Sequence, residues 1–79
     1  MNRSDILVKV QEIFREELDH NSLVLSEESS ANTVSGWDSL IHVQIISAIE
    51  DEFDITFSSK EIISWKNVGE MIDSIQKHL

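Results

Sequence analysis

Apolar residues recur along this chain at the spacing of an α-helix, and no segment alternates convincingly as a half-buried strand would. Ile6, Leu7, Val10, Ile13, Phe14 and Leu18 gather on one side of a helical wheel, with Asp5, Glu12, Arg15 and Glu16 elsewhere. They predict a first helix over about residues 4–18. Proline is absent and glycine occurs only at Gly36 and Gly69, so the remaining boundaries must come from caps. Asp38 ahead of Ser39 suits an N-cap, because its carboxylate can accept a bond from a first-turn amide that has no partner in the helix. A second helix is predicted from there to about Phe53. Ser58 and Glu61 have capping-box spacing and open a short third helix. Asn67 and Glu70 repeat that spacing before an apolar stripe of Val68, Met71, Ile72, Ile75 and Leu79. The expected fold is all-α, a four-helix bundle with a long first loop. Leu23, Val24, Leu25 and Val34 are expected to pin residues 19–37 to the core, and a loop of that length in a compact domain tends to be functional.

At 79 residues the chain has room for one domain. A domain this small buries only about 60% of its unfolded surface, so a deep catalytic pocket would compete with the core for the same side chains. The formal net charge of -9 argues against nucleic acid as a partner, since such binding depends on cations set against phosphates. Without cysteine there is no disulfide framework and no thiol nucleophile. No apolar run approaches the roughly 18 residues of a membrane span, and the N-terminus lacks the basic-then-apolar order of a secretory signal. A soluble, cytoplasmic, monomeric domain with no membrane partner is expected. Residues 26–61 hold eight of the fifteen acidic residues and one of the six basic ones, so the middle of the chain carries the field.

The second helix carries apolar residues on two sides. Ile41, Ile45, Ile46, Ala48, Ile49 and Phe53 make the broad face that must meet the core. Leu40 and Val43 point the other way, among Gln44, Ser47, Glu50 and Asp51. Scattered surface apolar residues are ordinary. The same six residues would also suit recognition of a basic partner, with apolar contact for affinity and carboxylates for steering. Ser39 stands at the head of this helix, where unpaired amides and a partial positive charge tolerate a phosphate.

Gly36-Trp37-Asp38-Ser39-Leu40, followed by Ala48-Ile49-Glu50-Asp51-Glu52-Phe53-Asp54, resembles an acyl carrier protein, and the likeness continues through Ile55, Phe57, Glu61, Ile62, Val68 and Ile72. The resemblance implies that Ser39 is the attachment point for a covalent 4'-phosphopantetheine cofactor, transferred from coenzyme A by a separate phosphopantetheinyl transferase. It implies a carrier with no catalysis of its own: acyl or aminoacyl groups ride as thioesters on the arm's thiol. Asp38 would cap the helix and help the transferase hold its metal ion. Leu40, Val43, Gln44, Ser47, Glu50 and Asp51 would dock the loading enzyme and the downstream synthases through their basic patches. Phe53, Phe57, Ile62, Trp65 and Val68, which read as plain core by pattern alone, would line a sleeve between the second and third helices; Trp65 there would shorten it and leave short or polar cargo outside. Ile41-His42 after Leu40, Ser35 before the glycine and Trp37 in place of a small residue depart from the fatty-acid-synthesis pattern. They favour a specialised carrier of a polyketide-like, mixed-peptide or cell-surface-polysaccharide pathway.

The other candidates are weaker. His42 falls on the core side, one turn from Trp37, and reads as a hydrogen-bonded packing residue. His20, His42 and His78 show no i, i+4 pairing, and Glu50-Asp51-Glu52-x-Asp54 lacks the glycine turn and spaced terminal Glu of an EF-hand; no metal site is expected. The rival to the carrier reading is an unmodified acidic helical adaptor that binds a basic protein through the Leu40–Val43 face.

Overall fold

The computed structural model describes all 79 residues. It contains four helices and no strand: α1 (Arg3–Glu17), α2 (Ser39–Phe53), α3 (Ser59–Ser64) and α4 (Val68–His78). No helix is long and apolar enough to cross a membrane. α1 begins and ends one residue earlier than its apolar period suggests, because Asn2 caps it by accepting the Asp5 N–H. Asp38 caps α2 as expected, accepting the Ile41 N–H at 2.9 Å. α2 stops at Asp54, whose left-handed backbone (φ 55°) returns its N–H to the Glu50 carbonyl. The capping box at Ser58 and Glu61 is complete on both sides, and the Asn67 side chain accepts the Glu70 N–H at the head of α4.

The buried faces of α1, α2 and α4 meet in one core. Ile6, Val10 and Phe14 come from α1, Ile45, Ile46 and Ile49 from α2, and Val68, Met71, Ile72 and Ile75 from α4. Burying each such side chain contributes about 1.5–3 kcal/mol. Leu79, the last residue of the predicted stripe, lies beyond the end of α4 and is 58% exposed.

The α1–α2 connection is held by specific bonds rather than by apolar contact alone. Leu25 and Val34 are buried and Leu23 packs against the core, but Val24 is 76% exposed, contrary to expectation. The segment around them is non-helical, and its pinning bonds run from Arg15 Nε to the Leu23 carbonyl and from the Leu25 N–H to Gln11 Oε1. Neither bond orients Val24 inward. Farther on, the Gly69 N–H donates to the Glu27 carbonyl at 2.7 Å, and a Cβ at Gly69 would lie 3.1 Å from that oxygen. Arg3 spans the same junction, bonding Glu27, Asp73, Gln76 and the Gly69 carbonyl. Its guanidinium holds the Glu27 carboxyl below the ordinary range. The loop thus delivers Gly36, at φ +87°, to the turn that launches α2. That φ is left-handed backbone open to glycine at little cost, and an added Cβ would press on Leu18 at 3.2 Å.

Candidate functional site

The head of α2 separates two jobs that the Asp-Ser dipeptide leaves ambiguous. Asp38 closes the helix, whereas Ser39 is the first helical residue and is exposed. Its hydroxyl is not the cap. A free hydroxyl at a helix start suits a phosphodiester, because the surrounding amides and the helix dipole favour negative charge there.

Beside Ser39 lies a groove of about 430 Å³, lined by Trp37, Asp38, His42, Ile62 and Trp65 among others. The rings of Trp37, His42 and Trp65 in its lining belong to an aromatic run that crosses the bundle. Phe14 meets Trp37 edge-on at 4.8 Å between centroids, Trp37 lies 5.8 Å from His42, and His42 lies 6.0 Å from Trp65. Trp65 then meets Phe57 edge-on at 4.9 Å, and Phe57 meets His78 at 5.6 Å. Trp37 Nε1 donates to His42 Nδ1 at 3.0 Å, so that nitrogen carries no proton. The ring proton is therefore on Nε2, which faces the Ile62 carbonyl at 3.3 Å. His42 is thus a bridge between the turn before α2 and the body of α3, with neither nitrogen left over for chemistry.

The expected sleeve residues are brought together only in part. Ile62 and Trp65 line the groove. Phe57 and Val68 belong to the buried core instead, and Phe53 packs against it. The reason is the pair of rings at the entrance: Trp65, fixed by a 2.8 Å bond from its Nε1 to Ser74 Oγ, covers Phe57, and His42 occupies the gap between the two indoles.

Of the six expected docking residues, Leu40 and Val43 are 69% and 64% exposed, and Gln44, Ser47 and Asp51 are exposed as well. Glu50 differs. It is half-buried, and its Oε2 accepts the Phe57 N–H at 2.8 Å, which ties α2 to the segment entering α3. Ile63, absent from the sequence-based set, is the most exposed large apolar residue at 84% and also lines the groove. Lys66, also outside that set, lines the groove as well. Both lie on or just after α3, whose six residues are too few to show a period.

α3 is anchored at its start by Glu61. Its carboxylate accepts the Ser58 N–H and contacts His78 Nε2 at 2.9 and 3.0 Å. These bonds, the backbone one first, pull the Glu61 carboxyl down to about 2. No cluster of three or more His, Cys, Asp or Glu capable of holding a metal ion is present.

Comparison with known proteins places this geometry. Residues 8–75 match the family model described as a phosphopantetheine attachment site. The chain is 34% identical over 76 residues to an acyl carrier protein of Phenylobacterium zucineum, covering 96% of each. It is 32% identical over 79 residues, all of both chains, to one of an Exiguobacterium species. Among solved structures, holo acyl carrier protein of Geobacter metallireducens superposes with a TM-score of 0.84 at 39% identity, covering 91% of this chain and 83% of that one. An acyl carrier protein of Thermotoga maritima gives 0.85 at 27% identity, covering 99% and 91%.

Proposed function

This chain belongs to the acyl carrier protein family, and from that premise we propose that it carries acyl or aminoacyl intermediates as thioesters on a 4'-phosphopantetheine arm attached to Ser39. The single observation that carries the reading is the exposed, uncapped Ser39 hydroxyl at the head of α2, with Asp38 alone closing the helix. The residues present fit the group: the hydroxyl is accessible, the helix start favours the phosphodiester, and the neighbouring groove leaves room for the arm. When bound, the arm supplies the thiol that the polypeptide lacks. Ser39 needs no activating base of its own, because a phosphopantetheinyl transferase activates it.

The chain's contributions are tethering and presentation. A flexible tether keeps cargo at millimolar effective concentration for a docked enzyme. Leu40 and Val43, with Gln44, Ser47 and Asp51 around them, form the surface on which the transferase, a loading enzyme and downstream synthases settle their basic patches. Glu50 supports that surface from its bond to Phe57. The ring-filled entrance supports a specialised carrier whose short or polar cargo stays outside the bundle. The test is intact mass after co-expression with a broad-specificity phosphopantetheinyl transferase. The wild type gains one arm and Ser39→Ala gains none; an unmodified wild type would leave the adaptor reading standing.

A further inference from the structure

We propose that the outer face of α3, with Ile63 set between Lys60 and Lys66, is a docking surface for a protein partner that presents carboxylates around an apolar pocket. It is opposite in sign to the surface on α2. The inference goes beyond the carrier reading and does not depend on whether Ser39 is loaded.

α3 divides its six residues into an inner and an outer side. Glu61 bonds the Ser58 N–H and His78, and Ile62 packs against the core with its carbonyl opposite His42 Nε2. Ser59, Lys60, Ile63 and Ser64 are exposed, and the Ser64 hydroxyl turns back to donate to the Glu61 carbonyl at 2.8 Å. Lys60 and Ile63, three residues apart, are neighbours on the helix surface. Ile63 and Lys66 both line the groove that Ser39 borders. At 84% exposure Ile63 contributes little to the core, so nearly all of its apolar surface is still available for burial by a partner.

The charge around it is not neutralised within the chain. The ion pairs are those of Arg3 with Glu27 and Asp73, Lys9 with Glu52, and His78 with Glu61; Lys60 and Lys66 take part in none. The acids nearby in sequence are engaged elsewhere: Glu61 on His78, Asp73 on Arg3, and Glu70 on the backbone N–H of Lys66 at 3.2 Å. Two free ammoniums therefore flank the most exposed large apolar side chain of a chain whose net charge is -9. At long range that net charge repels an acidic partner, but at about 0.1 M salt the field fades within about 10 Å. The lysines then act at contact range, where complementary charges fix register and partner choice. A uniformly basic surface would set its cations against Lys60 and Lys66. A membrane surface fits poorly, because interfacial helices bury a broad apolar face and the outer side of α3 offers one large apolar residue.

The test titrates the full 15N-labelled chain with two peptides and reads backbone 1H–15N signals. One is a helical peptide of about 15 residues built of Glu, Leu and Ala; the other has Lys in place of each Glu. The acidic peptide is expected to move the signals of residues 60–66, and the basic one those of the exposed α2 residues Leu40, Val43 and Asp51. One exposed ion pair changes affinity by up to about fivefold. Lys60→Glu with Lys66→Glu should therefore weaken the acidic peptide by about two- to twentyfold, and Ile63→Ser by about tenfold. Circular dichroism checks folding, and Lys60→Gln with Lys66→Gln gives a milder loss should the double reversal unfold. No movement on α3, an undiminished effect in both lysine pairs, or collection of both peptides on α2 would overturn the assignment. So would concentration-dependent broadening of the same signals without peptide, which would give the face to a second copy. Lysine-dependent binding to vesicles of phosphatidylglycerol and phosphatidylcholine, with no response to the acidic peptide, would give it to a membrane instead. Each of these results leaves the loading of Ser39 untouched, because that is read separately by intact mass.

Discussion

Replacing Asp38 and Ser39 one at a time should separate the helix stop from the loading handle. Asp38→Ala removes the side chain that accepts the Ile41 N–H at 2.9 Å. An N-cap truncation of this kind costs about 1 kcal/mol. For a domain of this size each kcal/mol lowers the melting temperature by about 4–8 °C, so a fall of that order is expected by circular dichroism. Asp38→Asn keeps an acceptor in place and should recover most of the loss. Ser39→Ala removes an exposed hydroxyl that closes no helix, and should stay within about 0.5 kcal/mol of the wild type while abolishing arm uptake. The reasoning fails if Ser39→Ala melts as early as Asp38→Ala, or if Asp38→Ala costs nothing, since the serine would then be the structural residue.

His42→Ala removes the bridge from Trp37 to the Ile62 carbonyl and should lower stability by about 1–2 kcal/mol in urea titration, with arm uptake and cargo transfer unchanged; a transfer defect at full stability would assign His42 to the arm instead. The Glu61 carboxyl lies at about 2 in the folded chain, below its unfolded value, so its contribution is present above about pH 4.5 and is lost as pH falls toward 2. The wild type should accordingly lose more melting temperature across that window than Glu61→Gln, and parallel curves would contradict the pairing with Ser58 and His78. Added salt or divalent cations should raise the melting temperature, because fifteen acidic residues face only six basic ones and screening relieves more repulsion than it weakens pairs such as Arg3–Glu27; a flat or falling response would show the carboxylates are too dispersed. A long-chain acyl thioester on the arm should react with hydroxylamine about as fast as on free pantetheine, and strong protection would mean that Trp65 swings aside.

Much of this architecture is legible in the residues. The periods of α1, α2 and α4 are long enough to fix their buried faces, and Asp38, Ser58 and Asn67 mark helix starts because the N-cap bond is local. Asn2 is not legible as a cap, because the apolar pattern starts only at Ile6, four residues on. What sequence hides are contacts that depend on which segment passes by. A helical wheel puts Glu50 on the outer side of α2, but it cannot show that the chain returns to offer it the Phe57 N–H. Phe57 and Val68 look equally suited to a core and a sleeve until Trp65 is seen covering one of them. Val24 reads as a pin because its neighbours are pins, and only the bonds to Leu23 and Leu25 show which residues the loop turns inward. Ile63 and Lys66 belong to a six-residue helix and its exit, where no periodicity exists to be read.

The most direct measurement is fragmentation mass spectrometry of the peptide containing Ser39, taken from cells that naturally make this chain, with peptides of other carriers in the same digest as the internal standard. The expected spectrum shows a phosphopantetheine on Ser39 oxygen, with a thioester on part of the population. A bare Ser39 in a digest where those other peptides carry their arms would contradict the carrier function.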